Sequence, residues 1–307
     1  MQGPRISVIM LTYNREKFVG RAIECILNQT FRDFEFIIVD NGSTDRSGII
    51  CDDYAAKDQR IRVIHRARGN IGSGRNTGLD AAKGEFIAFI DDDDLAEKDL
   101  LEFLFHLASE NDSEIAICGT ADKIFDEKRI MTAEEALIEL LWRKKYNVAF
   151  PAKLFKASLF DGIRFSETSR YDDIELMPWI IGRAKRVAYH GLPKYTFVRH
   201  EGNHSAWTTN YKLLDASTLD EYLSAYRART EWLMTNFPGN TEVWRYFEWS
   251  FMLSMTEKIT KLGLHSCERQ RIAMTQELRK HCKEFLDCGL TLDFEKEWMK
   301  QYIKALP

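Results

Sequence analysis

The stretch GEFIAFIDDDDLAEKDLL, Gly84–Leu101, decides the fold. An apolar run, Phe86–Ile90, leads directly into four aspartates, Asp91–Asp94. A short run of this composition is typical of a buried strand. Four like charges at its end repel one another unless they are well solvated or a positive group lies beside them. The stretch therefore predicts a buried strand that ends at a charged edge, and it raises the question of which positive group neutralises that edge.

Apolar runs of the same kind recur along the first 120 residues, each followed by a segment with helical spacing. Runs rich in Val and Ile that alternate with amphipathic helices indicate a parallel sheet covered on both faces. We therefore predict an α/β fold with a mostly parallel, Rossmann-like sheet and flanking helices. The predicted strands are Ile6–Leu11, Phe34–Asp40, Arg60–His65, Glu85–Ile90 and Glu114–Thr120. A short helix is expected at Thr77–Lys83, and two short strands at Arg186–Gly191 and Tyr195–His200.

Polar residues follow three of these strands, at Thr12–Arg15, Asp40–Asp45 and Asp91–Asp94. In open parallel sheets, ligands bind outside the carboxyl ends of the strands. We therefore expect the three polar segments to lie together at one binding edge. The aspartate run belongs to that edge and not to an arbitrary part of the surface.

The second half of the chain has a different pattern. From about residue 121 the alternation loosens, and from Tyr211 the chain reads as helices rich in Trp, Tyr and Met. Pro238-Gly239 and Gly263 separate the helical segments. We predict two domains, residues 1–208 and 209–307, of which the second is a helical subdomain. An oligomer contact is one role open to this helical tail.

Composition restricts the class of protein. The chain has 307 residues, 45% of them hydrophobic and 29% charged, which is ordinary soluble globular material. A formal net charge of -4 without a basic patch disfavours a nucleic acid partner. Six scattered cysteines without a CxxC pair indicate reduced thiols. The apolar N-terminal stretch is too short for a secretory signal, and no stretch approaches the ~20 apolar residues of a membrane span. We expect a cytoplasmic protein, with peripheral contact at the inner face of the membrane left open.

Three interpretations of the aspartate run differ in what neutralises it. As a helix cap, it would use one or two carboxylates at a helix N-terminus and leave the others unexplained. A calcium loop is excluded, because Ala96 stands where the sharp turn needs glycine and Leu95 occupies a ligand position. A Mg2+ or Mn2+ ion shared with a diphosphate needs only one or two carboxylates. This third interpretation fits best, since alternate aspartates at a strand end point into one cleft.

The glycine-rich segment GNIGSGRNTG, Gly69–Gly78, partly matches a dinucleotide-binding fingerprint. The segment follows the third strand and not the first, and its third glycine comes one residue late. Arg75 also stands where a pyrophosphate would need to approach the backbone closely. We therefore disfavour a nicotinamide-dependent enzyme.

Four segments in order resemble the family 2 glycosyltransferases of GT-A fold: SVIMLTYNRE, IIVDNGSTD, GNIGSGRNTGL and FIAFIDDDD. The usual forms in that family are a strand ending in P-x-Y-N, a V-D-D-G-S-T-D turn, a G-x-S-x-A-R-N-x-G segment and F-L-D-S-D-D. The match is close over roughly the first 100 residues and weaker up to about Ser205. Leu11 replaces the usual proline, and Asn41 replaces the second aspartate of the turn.

The resemblance implies an inverting transferase that uses a nucleotide-sugar, usually a UDP-sugar, together with a divalent Mn2+ or Mg2+ ion. Asp40 would accept a hydrogen bond from the uracil imide, Arg75 would approach the diphosphate, and Asp93 would bind the metal. The other residues implied for the nucleotide-sugar are Thr12, Tyr13, Arg15, Asn41, Gly42, Asp91 and Asp92. The acceptor side would lie at about residues 121–208.

Inverting transfer by single displacement needs one carboxylate to take the proton of the acceptor hydroxyl. The family supplies it from an E-D pair, and SRYDDIELMPW places Asp172 and Asp173 at that point. The resemblance implies Asp173 as the base and Asp172 as its helper. Both residues would also suit the N-terminus of the helix that follows, and the two roles are compatible.

A last segment, FVRHEGNHSAW, resembles the Y-R-x-H-x-G-x-x-S region of the family. It implies His200 as a metal ligand, with a structural role as the alternative. His204, Ser205 and Trp207 become candidate diphosphate or acceptor contacts. The remaining histidines, His65 among them, have no such context and are predicted to be structural. Aromatic residues that would either stack on sugar rings or pack in the core are Trp142, Tyr146, Phe150, Trp179 and Trp207.

The sequence thus predicts transfer of a sugar from a UDP-sugar to a hydroxyl of a glycan or lipid-linked acceptor. A sugar nucleotidyltransferase is disfavoured, because LTYNREKF lacks the glycine-rich phosphate loop that such an enzyme needs after its first strand. A non-catalytic nucleotide- or sugar-binding module would keep the cleft and lose the base. It is disfavoured because Asp93 and Asp173 are both present.

Overall fold

The computed structural model describes residues 3–122, 125–200, 203 and 206–303. The chain divides into two compact units, Met1–Val198 and Arg199–Pro307. This division falls between residues 198 and 199, whereas the sequence pattern suggested 208 and 209. The first unit is α/β and the second is helical, as predicted.

The first unit is built on one sheet, in which the described residues form nine strands. Their order is β3-β2-β1-β4-β8-β6-β9-β5, and β7 pairs with β9. The strands are β1 (Ile6–Thr12), β2 (Phe34–Asp40), β3 (Ile61–His65), β4 (Phe86–Asp91), β5 (Leu95–Ala96), β6 (Ile115–Thr120), β7 (Lys128–Met131), β8 (Lys153–Lys156) and β9 (Val187–Thr196). The helices of this unit are α1 (Val19–Leu27), α2 (Ser47–Ala55), α3 (Ile71–Ala81), α4 (Leu100–Glu110), α5 (Ala133–Trp142) and α6 (Asp172–Arg183).

The apolar runs form strands because helices cover both faces of the sheet. On one face, Ile6, Val8 and Met10 of β1 share a buried core with side chains of α1 and α4. On the other face, Ile9 packs directly against α3. Burial on both faces explains why these strands read as continuous apolar runs instead of alternating patterns.

The register of the parallel strands brings the polar segments together. Thr12 pairs with Asp40 across β1 and β2, and Leu11 pairs with Asp91 across β1 and β4. Asp40 in turn pairs with His65 across β2 and β3. The predicted binding edge is therefore a property of the strand register, since all four strands end at the same level.

The far half of the sheet is mixed. The strand β8 lies antiparallel between β4 and β6, and β6 then pairs in parallel with β9. β8 comes from the loosely patterned part of the chain, where four residues, Lys153–Lys156, form too short a run to stand out. The two short strands expected near the end of this unit are one strand, β9.

The glycine-rich segment is itself the helix α3, which begins at Ile71 and not at Thr77 as predicted. A Cβ atom added to Gly74 would lie 2.2 Å from Leu11 Cδ1, and one added to Gly78 would lie 2.4 Å from Ile9 Cγ2. These glycines allow α3 to lie close against β1. Their spacing is therefore explained by packing, without a dinucleotide.

The second unit contains α7 (Ala216–Asn236), α8 (Thr241–Leu262), α9 (Glu268–Lys280), α10 (Cys282–Asp287) and α11 (Asp293–Trp298). The aromatic residues of this tail pack internally: Tyr226 stacks on Phe251 with 4.0 Å between ring centroids. Glu295 of α11, a helix that the sequence pattern did not reveal, accepts hydrogen bonds from Tyr246 and Ser250 of α8. In the described part of the chain, no helix has an apolar stretch of the length that a bilayer span requires.

Candidate active site

Asp40 ends β2 with both of its carboxylate oxygens held by donors. Ser43 N donates to Oδ1 at 2.9 Å, and Nδ1 of His65 lies 2.9 Å from Oδ2. Nε2 of the same imidazole lies 3.0 Å from Asp52 Oδ1 on α2. Asp40 is only 5% exposed, so these donors compensate a charge that water barely reaches.

The turn after β2 is fixed against the loop that follows β3. Asn41 Nδ2 donates to the carbonyl of Gly69 at 2.8 Å, and its Oδ1 accepts from Gly69 N at 3.2 Å. Gly42 has φ +82°, and a Cβ there would lie 2.7 Å from Arg68 N. Asn41 therefore uses its amide on the protein itself, while Gly42 supplies a backbone conformation and a close approach that a side chain would prevent.

The segment after β1 places an aromatic ring and a cation at the edge. The Arg68 guanidinium lies 4.6 Å from the ring centroid of Tyr13. Arg15 is anchored through its backbone N, which donates to Ser47 Oγ at 2.7 Å. Its side chain turns toward the aspartate run, with Nε 3.7 Å from Asp92 Oδ1 and 3.7 Å from Asp93 Oδ2.

The aspartates at the end of β4 are crowded. Desolvation raises the pKa of Asp91, with the charges of Asp93 and Asp173 acting in the same direction and Arg75 opposing them. Desolvation also raises the pKa of Asp92 to about 7. Nη2 of Arg75 lies 4.0 Å from Asp91 Oδ1. Arg15 and Arg75 therefore face the run, and the raised pKa values show that burial and repulsion outweigh them at Asp91 and Asp92.

The fourth aspartate has a separate role. Asp94 Oδ2 accepts from the hydroxyl of Tyr195 at 2.8 Å, and Oδ1 accepts from Val198 N at 2.7 Å. The same tyrosine hydroxyl accepts from Asp91 N at 3.2 Å. Asp94 therefore fastens the end of the first unit to the aspartate run, a structural role that the sequence did not separate from those of its three neighbours.

Arg75 is held by aromatic side chains from the predicted acceptor side. Its guanidinium lies 5.2 Å from the ring centroid of Phe150 and 5.3 Å from that of Phe165. Phe150 is fully buried and Tyr146 nearly so, which shows that these two pack in the core. Trp179 remains 40% exposed.

Asp173 lies in the first turn of α6 and is brought to the same electrostatic neighbourhood. Desolvation raises the pKa of Asp173, and the charges of Arg75 and Arg143 oppose that rise. The negative charge of Asp173 is in turn one of the causes of the raised pKa of Asp91. The structure therefore brings the two motifs into one site, although about 80 residues separate them in the chain. Asp172 begins α6, and its side chain lies outside the described part of the structure.

Two asparagines that the sequence analysis did not single out position the segment before α6. Asn76 Nδ2 donates to the carbonyl of Phe165 at 3.0 Å, and its Oδ1 accepts from Phe165 N at 2.9 Å. Asn70 caps α3 through Ser73 N and donates to the carbonyl of Ser166 at 2.9 Å. Both lie in the glycine-rich segment, so the resemblance of that segment to the family pattern was the signal that could have indicated them.

The last predicted residues lie in the second unit. His200 Nε2 is 3.4 Å from Asn203 Nδ2, and Trp207 is buried with its ring 4.6 Å from that of Tyr222. His204 and Ser205 lie outside the described residues. The roles of His200 at the metal and of Trp207 at the acceptor stay predictions.

The aspartate run fits a divalent cation only as a shared site. Among the described residues, no group of three or more His, Cys, Asp or Glu side chains is arranged to hold a metal ion. Mg2+ in phosphate sites takes one or two carboxylates and completes its shell with water and phosphate oxygens, and Mn2+ prefers similar oxygen ligands. Asp93 would be such a ligand for a cation that arrives with a diphosphate.

Comparisons with known proteins indicate the family of the chain. The model of "Glycosyl transferase family 2" matches residues 7–166. The glycosyltransferase GlyG of Streptococcus pneumoniae is 31% identical over 71% of this chain and 78% of its own length. The uncharacterized glycosyltransferase EpsJ of Bacillus subtilis is 36% identical over 55% of each chain, so the chain matches about half the length of that relative.

Among solved structures, the 1–349 fragment of Staphylococcus aureus TarS in complex with UDP-GlcNAc has a TM-score of 0.62. It is 19% identical, and the likeness covers 91% of this chain and 92% of that one. At this level of identity the likeness shows the fold, which agrees with the predicted α/β class. The family assignment rests on the sequence matches, and the chain belongs to glycosyl transferase family 2.

Proposed function

We propose that the protein transfers a sugar from a nucleotide-sugar to a hydroxyl group of a glycan or glycolipid acceptor, with inversion at the anomeric carbon. One observation carries the proposal. At the carboxyl ends of the strands, Arg75 lies 4.0 Å from Asp91, and the charges of Arg75 and Asp173 both act on the pKa of Asp91. The charge of Arg75 also acts on the pKa of Asp173. Such a displacement needs a base for the acceptor and a diphosphate-binding cation beside the donor, and these are the roles proposed for Asp173 and Arg75, with Asp91 facing the nucleotide-sugar.

The donor is a UDP-sugar in this proposal. Asp40 offers a fixed, buried carboxylate suited to an imide N–H, and Tyr13 offers a ring beside it at the same edge. Binding of UDP-GlcNAc by TarS supports this choice of donor. Residues 1–208 would bind the donor and carry out catalysis, and 209–307 would form the helical subdomain.

Arg15 and Arg75 orient the diphosphate and counter the charge that grows on it as the sugar leaves. Both guanidinium groups already face the aspartate run, at 3.7 Å and 4.0 Å from its carboxylates. A divalent cation held by Asp93 would neutralise more of that charge when bound, with Asp91 facing the nucleotide-sugar. His200 remains a candidate for a further ligand.

Asp173 takes the proton from the acceptor hydroxyl as the new C–O bond forms and the bond to the diphosphate breaks. Its pKa is raised from the ordinary aspartate value. A raised pKa brings a carboxylate closer to the value at which general bases work best near neutral pH. Two arginines limit the rise, so the group can still ionise.

Calorimetric titration with UDP, with and without Mn2+, tests the donor site. We expect the native protein to bind UDP tightly only when Mn2+ is present. Asp93→Asn should bind UDP weakly both with and without Mn2+. Asp161→Asn is the matched control, because Asp161 is exposed and lies outside the site. If UDP does not bind under any condition, GDP and dTDP follow. Failure of all three would overturn the proposal.

A further inference from the structure

A histidine outside the predicted site links two aspartates behind the strand ends. Nδ1 of His65 is 2.9 Å from Asp40 Oδ2, and Nε2 is 3.0 Å from Asp52 Oδ1. Carboxylates accept hydrogen bonds, so both ring nitrogens donate at once only when the imidazole is protonated. The arrangement therefore favours a cationic His65 between two anions.

We propose that His65 is a positioning residue for the nucleotide-sugar, which holds the Asp40 carboxylate in the orientation that receives the nucleobase. The inference rests on the proposed function, because Asp40 matters here as the acceptor for the base. His65 itself does not touch the reacting atoms.

The contacts of Asp40 explain why a partner is needed. Each carboxylate oxygen has two acceptor directions, and Ser43 N and His65 Nδ1 each take one. The remaining directions stay available to a ligand, but the plane of the carboxylate can no longer rotate. Because the Asp40 carboxylate is already oriented in the free protein, nucleotide binding loses less conformational entropy.

The helix α2 leaves room for this arrangement at Gly48. A Cβ atom on Gly48 would lie 2.7 Å from Asp40 Oδ2 and 3.3 Å from His65 Cε1. Any side chain at this position would therefore press on the contact between Asp40 and His65. On the neighbouring helix α1, a Cβ on Gly20 would meet nothing closer than 3.7 Å.

The charge of His65 gives the arrangement a pH dependence. Hydrogen bonds to Asp40 and Asp52 raise the pKa of His65 above its usual value. Facing the ring are Asp40 on β2 and Asp52 on α2. Cys51, also on α2, stays a neutral thiol because burial and the charges of those two aspartates raise its pKa to about 12. Above the pKa of His65 the imidazole carries one proton; the tautomer that keeps it on Nδ1 still donates to Asp40, but without a charge, which weakens the support of Asp40.

Two substitutions of His65 separate its hydrogen bond from its charge. His65→Leu removes both donors, whereas His65→Asn keeps an amide nitrogen at the position of Nδ1 and removes the charge and the contact with Asp52. We expect UDP to bind about tenfold more weakly to His65→Leu, as for loss of one charge-assisted hydrogen bond, and His65→Asn to recover part of that loss. In transfer assays, KM for the donor should rise while kcat stays near the native value.

The pH profile is the readout that a merely structural histidine would not move. The ratio of the UDP dissociation constants of His65→Leu and native protein should fall as the pH rises above the pKa of His65, toward the smaller value expected for a neutral hydrogen bond. Ionisation of the nucleotide is common to both proteins and cancels in that ratio. His106→Leu on α4 is the control, because His106 is exposed and lies 3.8 Å from Glu110 away from the strand ends.

A second pair of variants keeps the test valid if His65→Leu does not fold. Gly48→Ala should weaken UDP binding with every charged group still present, and Gly20→Ala should not. Equal UDP binding by the native protein, His65→Leu and Gly48→Ala would overturn this inference alone. Absence of binding by the native protein to any nucleoside diphosphate would overturn the proposed function, and the inference with it.

Discussion

Asp40 and Asp91 end the two strands that flank β1, yet the charges and donors around them differ. Asp40 is buried, and a hydrogen-bond donor holds each of its oxygens. Asp91 lies among other carboxylates, and the guanidinium of Arg75 comes no nearer than 4.0 Å. The first arrangement suits recognition of a neutral N–H group. The second suits a cation, because the carboxylates gain most from a charge that the protein supplies only in part.

The comparison shows that aspartates at one edge of a sheet can have opposite effects on the stability of the fold. Donors around Asp40 lower the free energy of the folded state, since a buried charge without partners is costly. Burial and repulsion raise the pKa values of Asp91 and Asp92, so their charged forms raise that free energy, and the cost is tolerated where a ligand later removes it. The four predictions below test this difference, in order of expected effect.

Removing the carboxylate of Asp173 should have the largest effect. In Asp173→Asn the transfer rate should fall by about 10²–10⁴-fold, because general base catalysis contributes a factor of that size. UDP binding should stay close to native, since Asp173 faces the acceptor in the proposed mechanism. Single-turnover transfer assays beside calorimetry would measure both quantities. A native transfer rate in the variant would show that Asp173 is not the general base.

The same change on the two sides of β1 should have opposite effects on folding. Asp40→Asn should lower the free energy of unfolding by about 1–3 kcal/mol, because it disturbs a buried, hydrogen-bonded charge. Asp92→Asn should leave that free energy unchanged or raise it, since burial and the charges of Asp93 and Asp91 raise the pKa of Asp92 to about 7. Urea unfolding of both variants would measure the difference. Equal losses would show that the crowded aspartates are stabilising in the free protein and would break the comparison.

Within the aspartate run, Asp94 resembles Asp40 in having a donor on each carboxylate oxygen, although burial and the charge of Asp91 raise its pKa to about 8. Tyr195→Phe removes the hydroxyl that donates to Asp94 and accepts from Asp91 N, and should lower the free energy of unfolding by about 1–2 kcal/mol. Tyr189→Phe is a matched control, because the buried hydroxyl of Tyr189 has no hydrogen-bond partner among the described residues. If both variants lose the same stability, the contact with Asp94 is not the cause.

The smallest expected effect is a shift in the pH profile of transfer. A base with a raised pKa must be deprotonated to act, so activity should be lost on acidification at a pH above the usual aspartate range. Arg143 opposes the rise, so Arg143→Asn should move the acidic limb to higher pH. Asparagine is chosen because residue 143 has φ 53°. Arg164→Asn is the control, because Arg164 pairs with Asp80 and is not among the charges that act on the pKa of Asp173. The acidic limb of this variant should lie at the same pH as that of the native protein.

Several features of the site could be predicted from local pattern. The runs Ile6–Leu11 and Phe34–Asp40 are buried on both faces and therefore identify themselves by composition. The strand β8 could not be predicted in this way, because its four residues form a strand only by pairing between β4 and β6. The helix α3 was placed too late, because its glycines are poor helix formers that packing on β1 overrides.

By itself, the sequence determined the class of fold, the polar edge and the four family segments, since each depends on residues that are neighbours in the chain. Tertiary structure alone decided which of those polar residues act together. It separated Asp94 from the three aspartates beside it, through Tyr195 from a distant strand, and it placed His65 between Asp40 and Asp52. The physical reason is that hydrogen bonds and charge interactions act over a few ångströms in space, and only the packed sheet brings these groups within that distance.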